Sequence, residues 1–167
     1  VPNSPSVLVA VVITTVISWL TGFHRTVAVP GEAIHDPPAR MVIEKYNRTI
    51  EDQRRDAEQR STIAAKRSQM HRSLDLQTAM TVRHAFETVE LRIRQRELRL
   101  ADLRTKLRRM LFSGVAYSPD GRSGFYPQGA LPAKTKGDGR TWRIALDKGA
   151  IDLNAVPLRA GGQVVGA

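Results

Sequence analysis

Between Ala79 and Met110 apolar residues recur in steps of three and four: Ala79, Val82, Phe86, Val89, Ile93, Arg96, Leu100, Leu103, Leu107 and Met110, with Arg96 the only polar member. That spacing keeps one stripe on the same side of a helix for more than four heptads and predicts a coiled-coil seam. Arg96 is a polar insertion of the kind that fixes register. Upstream, Ile43, Tyr46, Ile50, Gln53, Ala57, Arg60 and Ala64 follow the same stepping more weakly. Asp36 ahead of Pro37 and Pro38 marks a helix start, because proline in the first turn sacrifices no hydrogen bond. In "SQMHRSLDL", Ser73 and Asp75 are turn or capping residues, and at "LFSG" Gly114 offers a left-handed C-cap. The prediction is an antiparallel hairpin over 38–112, with arms 38–72 and 75–112, each roughly 50 Å long at 1.5 Å per residue. A single unbroken helix through Ser73 is the competing geometry. The hairpin is preferred because the strong second seam needs a partner and the first helix is already tethered beside it.

The pattern changes on either side. Ser6–Phe23, "SVLVAVVITTVISWLTGF", carries no charge, and 12 of its 18 residues are Val, Leu, Ile, Ala, Phe or Trp. As a helix it is about 27 Å long, near the roughly 30 Å hydrocarbon thickness of a bilayer. Three readings compete: a membrane span, a signal peptide, and a buried strand or core helix. A signal peptide lacks its basic n-region here, and "TGFHR" is a poor small-residue cleavage site. The span is favoured, with Trp19 near an interface and Thr14, Thr15 and Ser18 bonding back to the preceding turn. On the other side, residues 113–167 hold most of the glycines. Pro-Asp-Gly between "GVAY" and "GFY" predicts a β-hairpin, and "TWRIALDKGAIDL" a second one around its Gly turn. The expected fold is therefore mainly α. It has an N-terminal transmembrane helix and its exit (1–29), a linker (30–37), the antiparallel coiled-coil hairpin (38–112) and a short β-rich segment (113–167).

Charge and composition narrow the chemistry. The chain has 167 residues with 26 Lys and Arg against 16 Asp and Glu, a formal net charge of +10, and no cysteine. Disulfide frameworks and thiolate metal sites are thereby excluded. Residues 37–112 hold 18 of the basic and 10 of the acidic side chains. The run "ELRIRQRELRLADLRTKLRRM" has enough arginine for a phosphate-binding surface. Glu90, Glu97 and Asp102 are interleaved, however, and no stacking aromatics accompany the arginines. A solvated flank with intrahelical ion pairs is the simpler reading, and no nucleic acid is expected. The histidines, His24, His35, His71 and His84, lack ligand spacing. "AGGQVVGA" lacks the GxGxxG spacing of a dinucleotide loop. No catalytic, metal, cofactor or substrate residue is assigned, and an enzyme is not expected.

The two ends together resemble the SulP family of anion transporters, the sulfate permeases. Pro5, Leu8, Ala10, Val11, Val12, Thr15, Ser18, Trp19, Gly22 and Phe23 fit a "P…LxAVVxxTxxSWxxGF" helix. Gly162, Val164, Val165 and Gly166 fit the start of the "VVGxIPxGLP" segment that follows it in the family. The family joins these segments by a short loop, whereas about 130 residues stand between them here. The resemblance implies an excerpt of a multi-pass inner-membrane transporter, containing the seventh of fourteen helices and an enlarged, periplasmic loop. It also implies an anion such as sulfate bound elsewhere in the parent, and a homodimer. The positive charge of the loop opposes that side of the membrane, but long loops translocate largely regardless of charge. The expected role of the coiled coil is then interaction or assembly, not transport chemistry. Two alternatives are a membrane-anchored periplasmic adaptor similar to membrane fusion proteins, which also run β-segment, hairpin, β-segment, and an Arg-rich coiled coil that binds nucleic acid.

Overall fold

The computed structural model describes residues 26–70, 76–117, 124–147 and 149–163. They form two compact units. One gathers 38–107 with 147–151; the other gathers the described residues up to Pro37 with 108–146 and those from Asp152 onward.

The first unit is the helical hairpin. Helix α1 runs Pro37–Met70, and α2 runs Leu76–Arg109, each of 34 residues. Cross-helix partners settle the geometry. Tyr46 meets Arg104, Asp56 meets Arg96, Gln59 meets Arg92 and Arg60 meets Glu90. One number falls as the other rises, so the arms are antiparallel and the unbroken helix is ruled out. Along α2, Val89, Leu100, Leu103 and Leu107 are buried, and Val82, Phe86, Ile93 and Arg96 are half-buried. These are the expected seam positions. On α1 the seam departs from expectation beyond Gln53. Asp56 is buried where Ala57 was expected inside, and Ile63 turns inward in place of Ala64. Weak hydrophobicity left two stripes one residue apart, and ion pairing with Arg96 selects the one that carries the carboxylate.

Residues 147–151 belong with the helices. Asn47 on α1 grips them at one point, its Nδ2 donating to the Ile151 carbonyl (2.7 Å) while the Ile151 N–H donates to its Oδ1 (2.8 Å). Only a carboxamide offers both a donor and an acceptor at this spacing. Asn47→Ala is expected to cost about 2 kcal/mol, one unit for each net hydrogen bond. Urea unfolding followed by circular dichroism reads it directly; an unchanged midpoint would mean that the clamp contributes nothing.

The second unit is a sheet of five strands: β1 (Thr26–Val29), β2 (Phe112–Tyr117), β3 (Phe125–Pro127), β4 (Lys136–Ile144) and β5 (Val156–Gln163). Their order is β1-β5-β4-β2-β3, every neighbour antiparallel. The expectation of a mainly α chain with a small β-hairpin segment is corrected here. The sheet draws a strand from before the helices and four from after them. Past the short 3-10 turn Gly31–Ala33, Ile34 makes a parallel bridge to Phe125, and the His35 N–H donates to the Phe125 carbonyl at 2.8 Å. This contact ties the segment after one edge strand to the opposite edge strand. It gives the outer edge of β3 a backbone partner at Phe125. Val29, Ile34, Phe112, Trp142, Ile144, Val156 and Leu158 are all buried, a core that a two-stranded segment does not provide.

Two local expectations also change. The expected hairpin over "TWRIALDKGAIDL" does not form: β4 ends at Ile144 and the next strand starts only at Val156. Gly114 lies within β2 and does not cap α2, which stops at Arg109. Its role is steric, since a Cβ there would fall 2.7 Å from the Asp138 carboxylate and 3.1 Å from the Trp142 indole nitrogen. The expected transmembrane helix over Ser6–Phe23 lies outside the described residues. Among the described residues no helix is long and apolar enough to cross a membrane.

Candidate functional site

The hairpin is graded along its length. Toward the helix ends that meet the β-strands in sequence, Ala39, Ile43 and Tyr46 of α1 and Leu100, Leu103 and Leu107 of α2 are buried and apolar. In the middle the contacts become ionic. Arg96 forms ion pairs with both Asp52 and Asp56, and Arg92 approaches Asp56 at 3.9 Å. The Asp56 side chain is only 4% exposed and that of Arg96 27% exposed. Burial alone would lower the arginine pKa by penalising its charge. The hydrogen bonds and charges of the two aspartates outweigh that penalty and raise it. Further out, the guanidiniums of Arg60 and Arg67 each lie 5.7 Å from the centre of the Phe86 ring. Cation–π contacts thus replace aliphatic packing where α1 supplies few apolar side chains.

This gradient divides the arginine-rich run into two faces. Arg92, Arg96 and Arg104 reach across to α1, the last donating to the Tyr46 hydroxyl at 3.4 Å. The expected solvated flank with intrahelical pairs accounts for only part of this run. Within it the one intrahelical pair among the described residues is Lys106 with Asp102, at 2.7 Å. Arg94, Arg99, Arg108 and Arg109 are exposed. They enter no ion pair among the described residues.

The outer face of α2 also carries large apolar side chains. Leu76, Met80, Leu91 and Leu98 are 76, 56, 60 and 70% exposed. Steps of four, eleven and seven residues place all four on one stripe, opposite the buried seam. A search of the sequence for a single seam overlooks this second stripe, because the stronger inner periodicity dominates the same helix. The signal was present as apolar residues out of phase with the first seam.

The remaining sequence candidates separate. His24 and His71 lie outside the described residues. His35 stacks on Tyr126 with ring centres 4.5 Å apart, and His84 sits exposed, 3.9 Å from Glu87. Among the described residues no group of three or more potential metal ligands comes together. The first glycine of "AGGQVVGA" pairs within β5 opposite Thr141. Compared with known family models, curated proteins and solved structures, the chain gives no match.

Proposed function

We propose that this region is an interaction element, a helical hairpin flanked in sequence by the strands of a β unit, inserted into a SulP-like inner-membrane anion transporter. One observation carries the reading. β1 pairs antiparallel with β5, Thr26 opposite Arg159 and Val29 opposite Val156. Partners in such a ladder lie about 5 Å apart. The start of β1 therefore lies beside Arg159, four residues before the end of β5, and both strands run out toward the same end of the sheet. An insertion that leaves the separation of two host segments undisturbed requires this arrangement, since the incoming and outgoing chain must lie close together. The family resemblance rests on residues that precede β1 and on Gly162 in β5 with the residues that follow it. In this reading the anion is handled elsewhere in the parent, the hairpin mediates assembly, and the insertion projects into the periplasm.

A second reading, a periplasmic adaptor similar to membrane fusion proteins, draws on a different aspect of the same pairing. A β unit built from both flanks of a helical hairpin has that outline.

The test is transport of radiolabelled sulfate by cells carrying the full-length parent, with and without residues 38–107, at matched membrane levels. The transporter reading expects uptake by the parent and its retention in the deletion, with altered assembly on native gels. Absence of uptake by the parent contradicts the transporter reading and favours the adaptor. Loss of uptake in the deletion contradicts a purely assembling role. Single cysteines at Ser61 and Lys136, labelled on intact cells by an impermeant maleimide, test the periplasmic placement. Labelling only after lysis overturns it.

A further inference from the structure

We infer that the outer stripe of α2 docks an acidic amphipathic helix of a partner protein. The inference rests on reading the hairpin as an interaction element and is independent of the transporter assignment. Its apolar part is Leu91 and Leu98, a heptad apart and largely exposed, extended by Leu76 and Met80. Side chains of this size in one aligned stripe form a seam lacking its second helix, and a helical ligand matches the three-and-four spacing with knobs of its own.

The charges identify the ligand's sign. On the stripe itself the acidic residues are already engaged, Glu87 with Arg83 at 2.9 Å and Asp102 with Lys106 at 2.7 Å, while Glu97 flanks it without an ion pair among the described residues and is offset by Arg99 on the other flank. Arg94, three residues after Leu91 and four before Leu98, has no ion pair among the described residues. Arg109 continues the stripe in the same condition, and Arg99 flanks it. The surplus is cationic, so the complementary partner presents carboxylates beside its leucines. A second copy of the hairpin would bring the same surplus arginines to the contact, which electrostatic complementarity disfavours.

The probe is a synthetic three-heptad peptide with leucine at the a and d positions and glutamate at e and g, fluorescently labelled. Its controls are a scramble of the same composition and a version with lysine replacing glutamate. Binding to the whole chain is read by anisotropy. The amphipathic acidic peptide is expected to bind at least about tenfold tighter than the scramble. Leu91→Glu with Leu98→Glu should abolish that preference. Arg94→Glu with Arg99→Glu should weaken binding at least about tenfold at low salt and transfer the preference to the lysine peptide. These four residues are exposed and outside the seam, and helical circular dichroism verifies that the variants fold. Equal binding of scramble and amphipathic peptide overturns the proposal, because charge alone would then account for it. So does dimerisation of the chain, seen by sedimentation and abolished by Leu98→Glu, which makes a second copy the occupant. Stripe-dependent binding to anionic phosphatidylglycerol vesicles without peptide binding assigns the face to a membrane surface and likewise overturns it. None of these outcomes bears on sulfate uptake, so this proposal fails separately from the transporter reading.

Discussion

Arg96→Met is expected to lower the stability of the hairpin by about 2–3 kcal/mol. The loss comes less from the arginine than from what it leaves behind. Asp56 is almost fully buried, and without Arg96 its nearest cation is Arg92 at 3.9 Å. A buried carboxylate that loses its partner keeps its desolvation cost, and removing one member of a buried pair is far more damaging than removing both. Asp56→Leu combined with Arg96→Met should therefore recover to within about 1 kcal/mol of the parent chain. A double-mutant cycle by urea unfolding measures the coupling, and strictly additive single mutants would contradict the account. The pH dependence has a defined sign. The folded-state pKa of Arg96 is raised, against the opposing effect of burial, by Asp52 and Asp56. Its stabilising contribution is then fully present below the unfolded arginine pKa and is lost only as pH rises through the folded value. The neutral range lies well below both.

Trp142→Ala should cost the β unit about 3–5 kcal/mol, the range for deleting a large buried aromatic. Trp142 is 4% exposed and meets Phe125 edge-on, with ring centres 5.4 Å apart. Its indole N–H also donates to Asp138 at 2.7 Å. Trp142→Phe separates the two contributions. It retains most of the apolar volume but leaves that carboxylate oxygen without its donor, for an expected loss of about 1–2 kcal/mol. Calorimetric unfolding of both variants reads the difference. A Trp142→Phe loss near zero would mean that the hydrogen bond contributes nothing beyond packing, and equal losses would mean that the ring's packing contributes nothing beyond the hydrogen bond.

The α2 seam was legible because its apolar residues are large and regularly spaced, so that one turn of the helix predicts the next. The α1 seam was legible only in part, because past Ile50 its inward residues are mostly polar and the placement of Asp56 depends on Arg96, forty positions beyond it. The β2–β3 pairing was legible from Pro-Asp-Gly between two short apolar runs. The sheet as a whole was hidden by distance along the chain. Val29 pairs with Val156 across both helices, and nothing local to "TVAV" announces a partner so far downstream. β4 begins "KGDG", a sequence that reads as a loop, and Gly139 does adopt a positive φ of 69° there before Trp142 and Ile144 enter the core. For the candidate site, the arginines were visible but their division into two faces was not. Arg96 was legible as the polar member of the α2 seam; that Arg92 and Arg104 also reach across depends on Gln59 and Tyr46, which α1 places opposite them.

The antiparallel hairpin sets the ionic register and leaves the Leu91–Leu98 stripe outward. The chain contains no cysteine, so nitroxide labels at Glu44 and Lys106 report unambiguously by double electron–electron resonance. Helices packed side by side have axes about 8–10 Å apart, and the expected label separation is below about 30 Å. A distribution centred near about 90 Å, the rise of one continuous helix between the two positions, would contradict the hairpin and everything derived from it.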